Sequence, residues 1–217
     1  MTDPDWAARR AQMVRGQLES RGIAAPRVLD ALARVPRERF VPEGARARAY
    51  ADHALGIAHG QTISQPYMVA IMTQALDLDG TERVLEVGTG SGYQCAVLAE
   101  LAREVWSVER IPSLAQEAAR LLAGLGYGNV HVRTGDGSRG WPDEAPYQAI
   151  LVTAATPTLP PSLLDQLDAA GGILVAPVGD RELQHLAVVE RQGTTFVTRR
   201  SIGCRFVPLV GKEGWPE

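Results

Sequence analysis

From Arg83 onward, short apolar runs alternate with stretches of helical period, and the first strand passes into the first helix through "VLEVGTGSGYQ", residues 84–94, with glycine at positions 88, 90 and 92. No other feature restricts the fold as tightly. A strand that turns straight into a helix and is followed by another strand closes as a right-handed crossover between parallel strands. "VWSVE", "VHVRT", "AILVT" and "ILVAPV" read as further strands. Between them fall "YQCAVLAELA", a stripe of Leu114, Ala118, Leu121 and Leu125 ending at Gly126, and "PPSLLDQLDAAGG", each read as a helix. Ser113 with Gln116 reads as a capping box. After Val178 the helices stop, and "HLAVVER" and "TTFVTRRSI" around Gln192-Gly193 read as an antiparallel hairpin. The pattern predicts an α/β fold: a Rossmann-like, doubly wound, mostly parallel sheet covered on both faces, with an antiparallel C-terminal hairpin.

A chain of 217 residues suits one domain, with residues 1–60 as an N-terminal helical extension. There Val14, Leu18, Val28, Leu29 and Leu32 mark helical stripes that Pro36 and Pro42 interrupt. In the following "GQTISQPYMVAIMTQALDLDG", Ser64 reads as the N-cap of a helix opened by Pro66, with Met68, Ile71, Met72 and Leu76 on its apolar face. A formal net charge of -3 leaves no basic footprint for nucleic acid. No run approaches the roughly 18 apolar residues of a membrane span, so a cytoplasmic protein is expected. Cys95, Cys204 and the four histidines form no metal-ligand or disulfide pattern, so neither a metal nor a disulfide framework is expected.

Gly88, Gly90 and Gly92 can take positive φ, and without Cβ atoms they let a ligand lie against the main chain at a helix N-terminus. Glu109 stands 21 positions after Gly88 at the end of the second strand, where a carboxylate can accept both hydrogen bonds of a ribose diol. A nicotinamide dinucleotide would use the same turn, but its fingerprint needs glycine or alanine where Tyr93 stands. Glu86, just before the turn, would repel a pyrophosphate and attract an ammonium, directly or through water. Asp136, after the third strand, is placed to reach an adenine amino group, although "GDG" alone also reads as a turn. Three acids at three strand ends fit S-adenosylmethionine, whose sulfonium and ammonium are both positive. The absence of GxSxG and GxxxxGK patterns removes hydrolase elbows and P-loops. A methyltransferase and a non-catalytic sensor of the same nucleoside remain open on these residues.

"QTISQPYMV", "RVLEVGTGSGYQ", "SVERI", "GDG", "APYQAILVTAA", "GGILVAPVG" and "RFVPL" together resemble the successive signatures of the protein-L-isoaspartate O-methyltransferase family, in its short bacterial form, from about residue 9 to residue 211. That resemblance implies a single S-adenosylmethionine-dependent domain of the class I methyltransferase fold, with a seven-stranded sheet. It implies methylation of the free carboxylate of L-isoaspartyl residues in damaged proteins and peptides, which starts repair to aspartyl through a succinimide. It carries the active-site serine onto Ser64, with Thr62 and Ile63 beside it near the cofactor. Glu86, Gly88, Gly90, Gly92, Glu109, Arg110, Asp136 and Gly137 complete the expected cofactor set, and Arg205, Phe206 and Val207 the expected peptide wall. On the residues alone "RFVPL" reads as the end of the last strand. No nucleic acid, membrane or obligate protein partner is implied.

Overall fold

The computed structural model describes residues 5–216; residues 1–4 of the expected N-terminal extension, and residue 217, lie outside it. Asp5 opens α1 (Trp6–Met13) by accepting a hydrogen bond from the Ala8 amide. A π-helical stretch and a 3₁₀ turn then lead to Gly22 at φ +88°, and Pro26 begins α2 (Pro26–Arg34). Two 3₁₀ turns follow, where Pro36 and Pro42 deny the chain helical hydrogen bonds. A two-stranded antiparallel pair, β1 (Leu55–Gly56) and β2 (Thr62–Ile63), precedes α3 (Pro66–Gln74).

The main body then runs β3 (Arg83–Val87), α4 (Tyr93–Ala99), β4 (Glu104–Glu109), α5 (Pro112–Gly124), β5 (Val130–Thr134), β6 (Ala149–Val152), α6 (Pro161–Asp165), β7 (Ile173–Gly179), β8 (Gln184–Gln192) and β9 (Thr195–Cys204). These strands form one seven-stranded sheet in the order β5-β4-β3-β6-β7-β8-β9, parallel from β5 to β7 and antiparallel across β7, β8 and β9. Both the doubly wound sheet and the terminal hairpin are therefore as the sequence pattern predicts. Gly193, at φ +64°, closes the hairpin.

Strand order reverses between β3 and β6, and right-handed crossovers turn that reversal into two covered faces. Helices α4 and α5 pack on one face, where Val84, Val105, Leu151 and Val175 join Leu98, Leu122 and the N-terminal residues Leu18 and Leu32 in one buried cluster. On the opposite face Leu85, Val87, Ile150 and Leu174 meet Leu163 of α6 and Tyr147. Both faces of the central strands are buried, which is why they read as continuous apolar runs without alternation.

Four local expectations are corrected. Gln65, not Ser64, is the N-cap residue of α3, and no side chain caps it; Pro66 at the first helical position leaves no amide there to satisfy. Pro112 starts α5 with Ile111 as N-cap, so Ser113 falls inside the first turn and its hydroxyl meets His59 Nε2 at 2.8 Å instead of forming a capping box. Helix α6 ends at Asp165 because Tyr147 draws the backbone away: its amide bonds the Gln166 carbonyl and its carbonyl accepts from the Asp168 amide. "RFVPL" lies beyond β9, where the Ala155 amide bonds the Val207 carbonyl and the Leu209 amide bonds the Ala155 carbonyl, both at 2.7 Å. A strand-end loop of β6 thus receives this segment, and β9 does not.

Candidate active site

In a sheet of this kind the crevice lies outside the carboxyl ends of the strands, at the reversal point. The reversal here lies between β3 and β6, and the turn leaving β3 carries the glycines. Gly88, Gly90 and Gly92 have φ of +100°, +52° and +86°, a region closed to most side chains. Gly92 is the N-cap of α4, and a Cβ there would stand 3.3 Å from Ala118 Cβ, so this glycine serves the close approach of α4 to α5. Gly88 lies against β6: a Cβ on it would fall 2.5 Å from Thr153 Oγ1, which donates to the Val87 and Gly88 carbonyls.

Glu109, at the end of β4, holds the other side of the turn. Its Oε2 accepts from the Gly90 amide and its Oε1 from the Ile111 amide, both at 2.9 Å. A third tie runs underneath. Thr89 and Ser107 share a hydrogen bond of 2.6 Å between their hydroxyls, and Ser107 donates to Glu86 Oε2.

These ties enclose a cleft with about 920 Å³ of open volume, continuous with solvent on one side. Thr62 and Ile63 line it from β2 and Ser64 from just beyond it, Gly88 and Gly90 from the glycine turn, Glu109 and Arg110 from the end of β4, Gly137 from beyond β5, and Val207 from the C-terminal segment. Residues as far apart in sequence as Gln61 and Val210 thereby meet around one space.

Glu86, Gly92, Asp136, Arg205 and Phe206 do not line that cleft. Successive side chains of a strand point to opposite faces, and Glu86 follows Val84 toward α4, with no exposed surface. Burial there pushes its pKa up to about 8, against weaker hydrogen bonds from Ser107 and Cys95, so the group is largely a neutral acid at pH 7. Its carboxyl is turned toward α4, and it does not line the cleft. Asp136 is occupied as a clasp: Oδ1 accepts from the Ser138 amide and hydroxyl, and Oδ2 from the Lys212 amide at 2.8 Å. Although burial opposes it, these donors hold the Asp136 carboxyl below its ordinary pKa. Arg205 is exposed, and Phe206 packs against the helical face of the core while its amide donates to Gln184 Oε1.

Residues outside the sequence expectations also line the cleft. Thr153 and Ala154 continue β6 into it, Gln94 and Val69 reach it from α4 and α3, and Ile111 borders Glu109. The reversal rule could have pointed to Thr153 as the end of the strand beside β3. Nothing local marks Gln94 or Val69, which face inward on apolar helices.

The buried acid has a measurable consequence. A folded-state pKa of about 8 against an ordinary 4.5 means that the folded chain keeps a proton the unfolded chain releases, so the contribution of Glu86 to stability is fully present below about pH 4.5 and is lost as pH rises through 8. Glu86→Gln, which mimics the neutral acid, should flatten that part of the profile and be more stable than the parent at pH 9. Urea denaturation at pH 5, 7 and 9 reads it, and parallel profiles for the two chains would refute the assignment.

The sequence matches the model of the family described as "Protein-L-isoaspartate(D-aspartate) O-methyltransferase (PCMT)" over residues 8–214. It is 57% identical over 206 residues to the protein-L-isoaspartate O-methyltransferase 1 of Syntrophobacter fumaroxidans, a match covering 95% of this chain and 96% of that protein. A solved structure described as protein-L-isoaspartate O-methyltransferase superposes with a TM-score of 0.85 at 28% identity, covering 94% of this chain and 67% of that one. A second, from Plasmodium falciparum and in complex with S-adenosyl-L-homocysteine, has a TM-score of 0.81 at 23% identity over 97% of this chain and all of that one; it bears on the fold alone. On the family match and the similarity along nearly its whole length, this chain belongs to the protein-L-isoaspartate(D-aspartate) O-methyltransferase family.

Proposed function

We propose that this chain methylates the free carboxylate of L-isoaspartyl residues in proteins and peptides, using S-adenosylmethionine, and so begins their return to aspartyl through a succinimide. The observation that carries the reading is a family-matched chain whose cleft joins the glycine turn, the Glu109 carboxylate and the Ser64 segment.

The groups lining the cleft suit such a cofactor in kind. Glu109 offers a carboxylate for a ribose diol, the bare turn at Gly88 and Gly90 admits a polar tail beside the main chain, and Val108, Ile111 and Gly137 give an apolar recess for a flat ring. Thr62, Ile63 and Arg110 border the same space, whereas Asp136 would act by holding Gly137 and the Lys212 segment in place. When bound, S-adenosylmethionine supplies a methyl carbon activated by its sulfonium.

No strong base is needed at Ser64. A substrate carboxylate with a pKa of about 3.9 is already an anion at pH 7. What the chain must do is orient that anion, a positioning task worth several kcal/mol. Ser64, half-buried at the cleft wall, would donate its hydroxyl hydrogen to the carboxylate. Val69, Val207 and Leu209 give the same region apolar walls that exclude water. Arg205 and Phe206, outside the cleft beside Val207, would meet the flanking peptide backbone. A cytoplasmic site of action accords with the reading; no helix among the described residues is long and apolar enough to cross a membrane.

Methyl-labelled S-adenosylmethionine and two peptides that differ only in an L-isoaspartyl or L-aspartyl residue test the activity. Base-labile label is expected on the first peptide alone; label on neither, with the cofactor still bound in a calorimeter, would overturn it. Ser64→Ala is expected to lower kcat/KM about 10- to 100-fold while leaving cofactor affinity within about twofold. Unchanged turnover in that variant would remove Ser64 from the reaction.

A further inference from the structure

Arg37 has no solvent exposure. It is one of the largest fully buried side chains among the described residues, and a buried guanidinium is costly unless its donors are used. Its pKa is lowered from the ordinary arginine value, chiefly by burial. The donors reach main-chain oxygens from two separate parts of the chain: Nε bonds the Ala49 carbonyl at 2.7 Å and Nη2 the Ser64 carbonyl at 2.6 Å. The guanidinium lies 4.7 Å from the ring centroid of Tyr93, the first residue of α4 after the glycine turn. Nη1 has no partner.

The Ser64 carbonyl needs an outside donor. Helix α3 starts only at Pro66, and its first bond, from the Val69 amide, goes to the Gln65 carbonyl. Leucine or methionine would fill the volume around Arg37 at lower desolvation cost, so packing alone does not account for an arginine there. Its fork joins three things: the end of the 3₁₀ segment at Ala49, the helix that follows the glycine turn, and the backbone between β2 and α3 at Ser64, a residue that lines the cleft.

We propose that Arg37 is a positioning residue for methyl transfer: it sets the place of the Ser64 hydroxyl by clamping the Ser64 main chain, and touches neither substrate nor cofactor. The inference rests on the role of Ser64 under the proposed function. Lysine keeps the charge but offers one compact donor centre in place of a fork, so it cannot hold both carbonyls in the same geometry. Arg37 thereby links the N-terminal extension to the reaction.

The experiment compares Arg37→Lys, Ser64→Ala and the double variant with the parent chain, with Arg37→Gln as a second substitution should lysine fail to fold. Steady-state methylation of the isoaspartyl peptide, calorimetric affinity for S-adenosylmethionine, and hydrogen exchange of the segment 61–69 are read on each. The expected result has three parts: Arg37→Lys loses at least tenfold in kcat with cofactor affinity within twofold; its exchange rises over 61–69; and the double variant is no slower than Ser64→Ala alone. Two results would overturn it. One is unaltered kcat together with a lowered melting temperature, which makes Arg37 structural only; the other is additive losses in the double variant, which show action by another route. A wrong substrate reading shows up separately, in the parent chain, as no label on the isoaspartyl peptide, while faster exchange over 61–69 still reports the clamp.

Discussion

Gly88→Ala should abolish measurable S-adenosylmethionine binding and methyl transfer, and lower the stability of the fold by roughly 2–6 kcal/mol. Two costs add. At φ +100° an alanine is strained, by about 1–3 kcal/mol for a residue forced into such a region. Its Cβ would also stand 2.5 Å from Thr153 Oγ1, and overpacking of this kind costs about 1–3 kcal/mol. Thr153 cannot step aside without releasing the Val87 and Gly88 carbonyls, the bonds that tie the turn to β6. The added methyl therefore displaces the turn on which the proposed cofactor tail rests. Thr153→Ala in the same chain should recover part of the stability, because it removes the collision and leaves the backbone strain. Calorimetric titration and thermal melts measure both effects; cofactor affinity within twofold of the parent would show that the turn tolerates displacement and that its bareness is not what admits the ligand.

Glu109→Ala should weaken S-adenosylmethionine binding at least about 100-fold. The carboxylate is almost fully buried and accepts two backbone bonds, from Gly90 and from Ile111. Hydrogen bonds to charged groups contribute about 1.5–3 kcal/mol each, and their loss leaves both amides without the acceptor that fixes the glycine turn against the start of α5. If the same carboxylate also takes the ribose diol, binding falls further. Glu109→Gln keeps one carbonyl acceptor and should lie between the parent and Glu109→Ala. Equal affinities for glutamine and alanine would mean that the charge at this strand end is the whole effect and the backbone bond that glutamine keeps counts for nothing.

Much of the site was legible in the sequence because its scaffold is local. Gly88, Gly90 and Gly92 follow a strand and open a helix, and all three adopt the positive φ that only glycine takes readily. Glu109 stands at the end of the next strand, and the topology brings that end beside the turn. Glu86 shows where the same local view fails. Its position in sequence, one residue before Val87, placed it near the glycine turn, but one step along a strand reverses the side-chain direction. Its carboxyl consequently faces α4, loses solvent and holds a proton near neutral pH. Ser64 fits every local rule for an N-cap, yet Gln65 is the cap and the Ser64 carbonyl is claimed by an arginine 27 positions earlier.

The sequence by itself determined the alternation of strands and helices, the place of the glycine turn, the closing hairpin and the family. Each is written in neighbouring residues, because hydrophobic period and glycine or proline placement set backbone conformation within a few positions. Only the tertiary structure decided which polar groups are used where. Arg37 reaches Ser64, Thr153 locks the turn at Gly88, Asp136 clasps Lys212, and Val207 comes to the wall of a cleft begun by Thr62. Those pairings join residues at least 27 positions apart, and a hydrogen bond depends on where two elements meet in space, which no short-range period encodes.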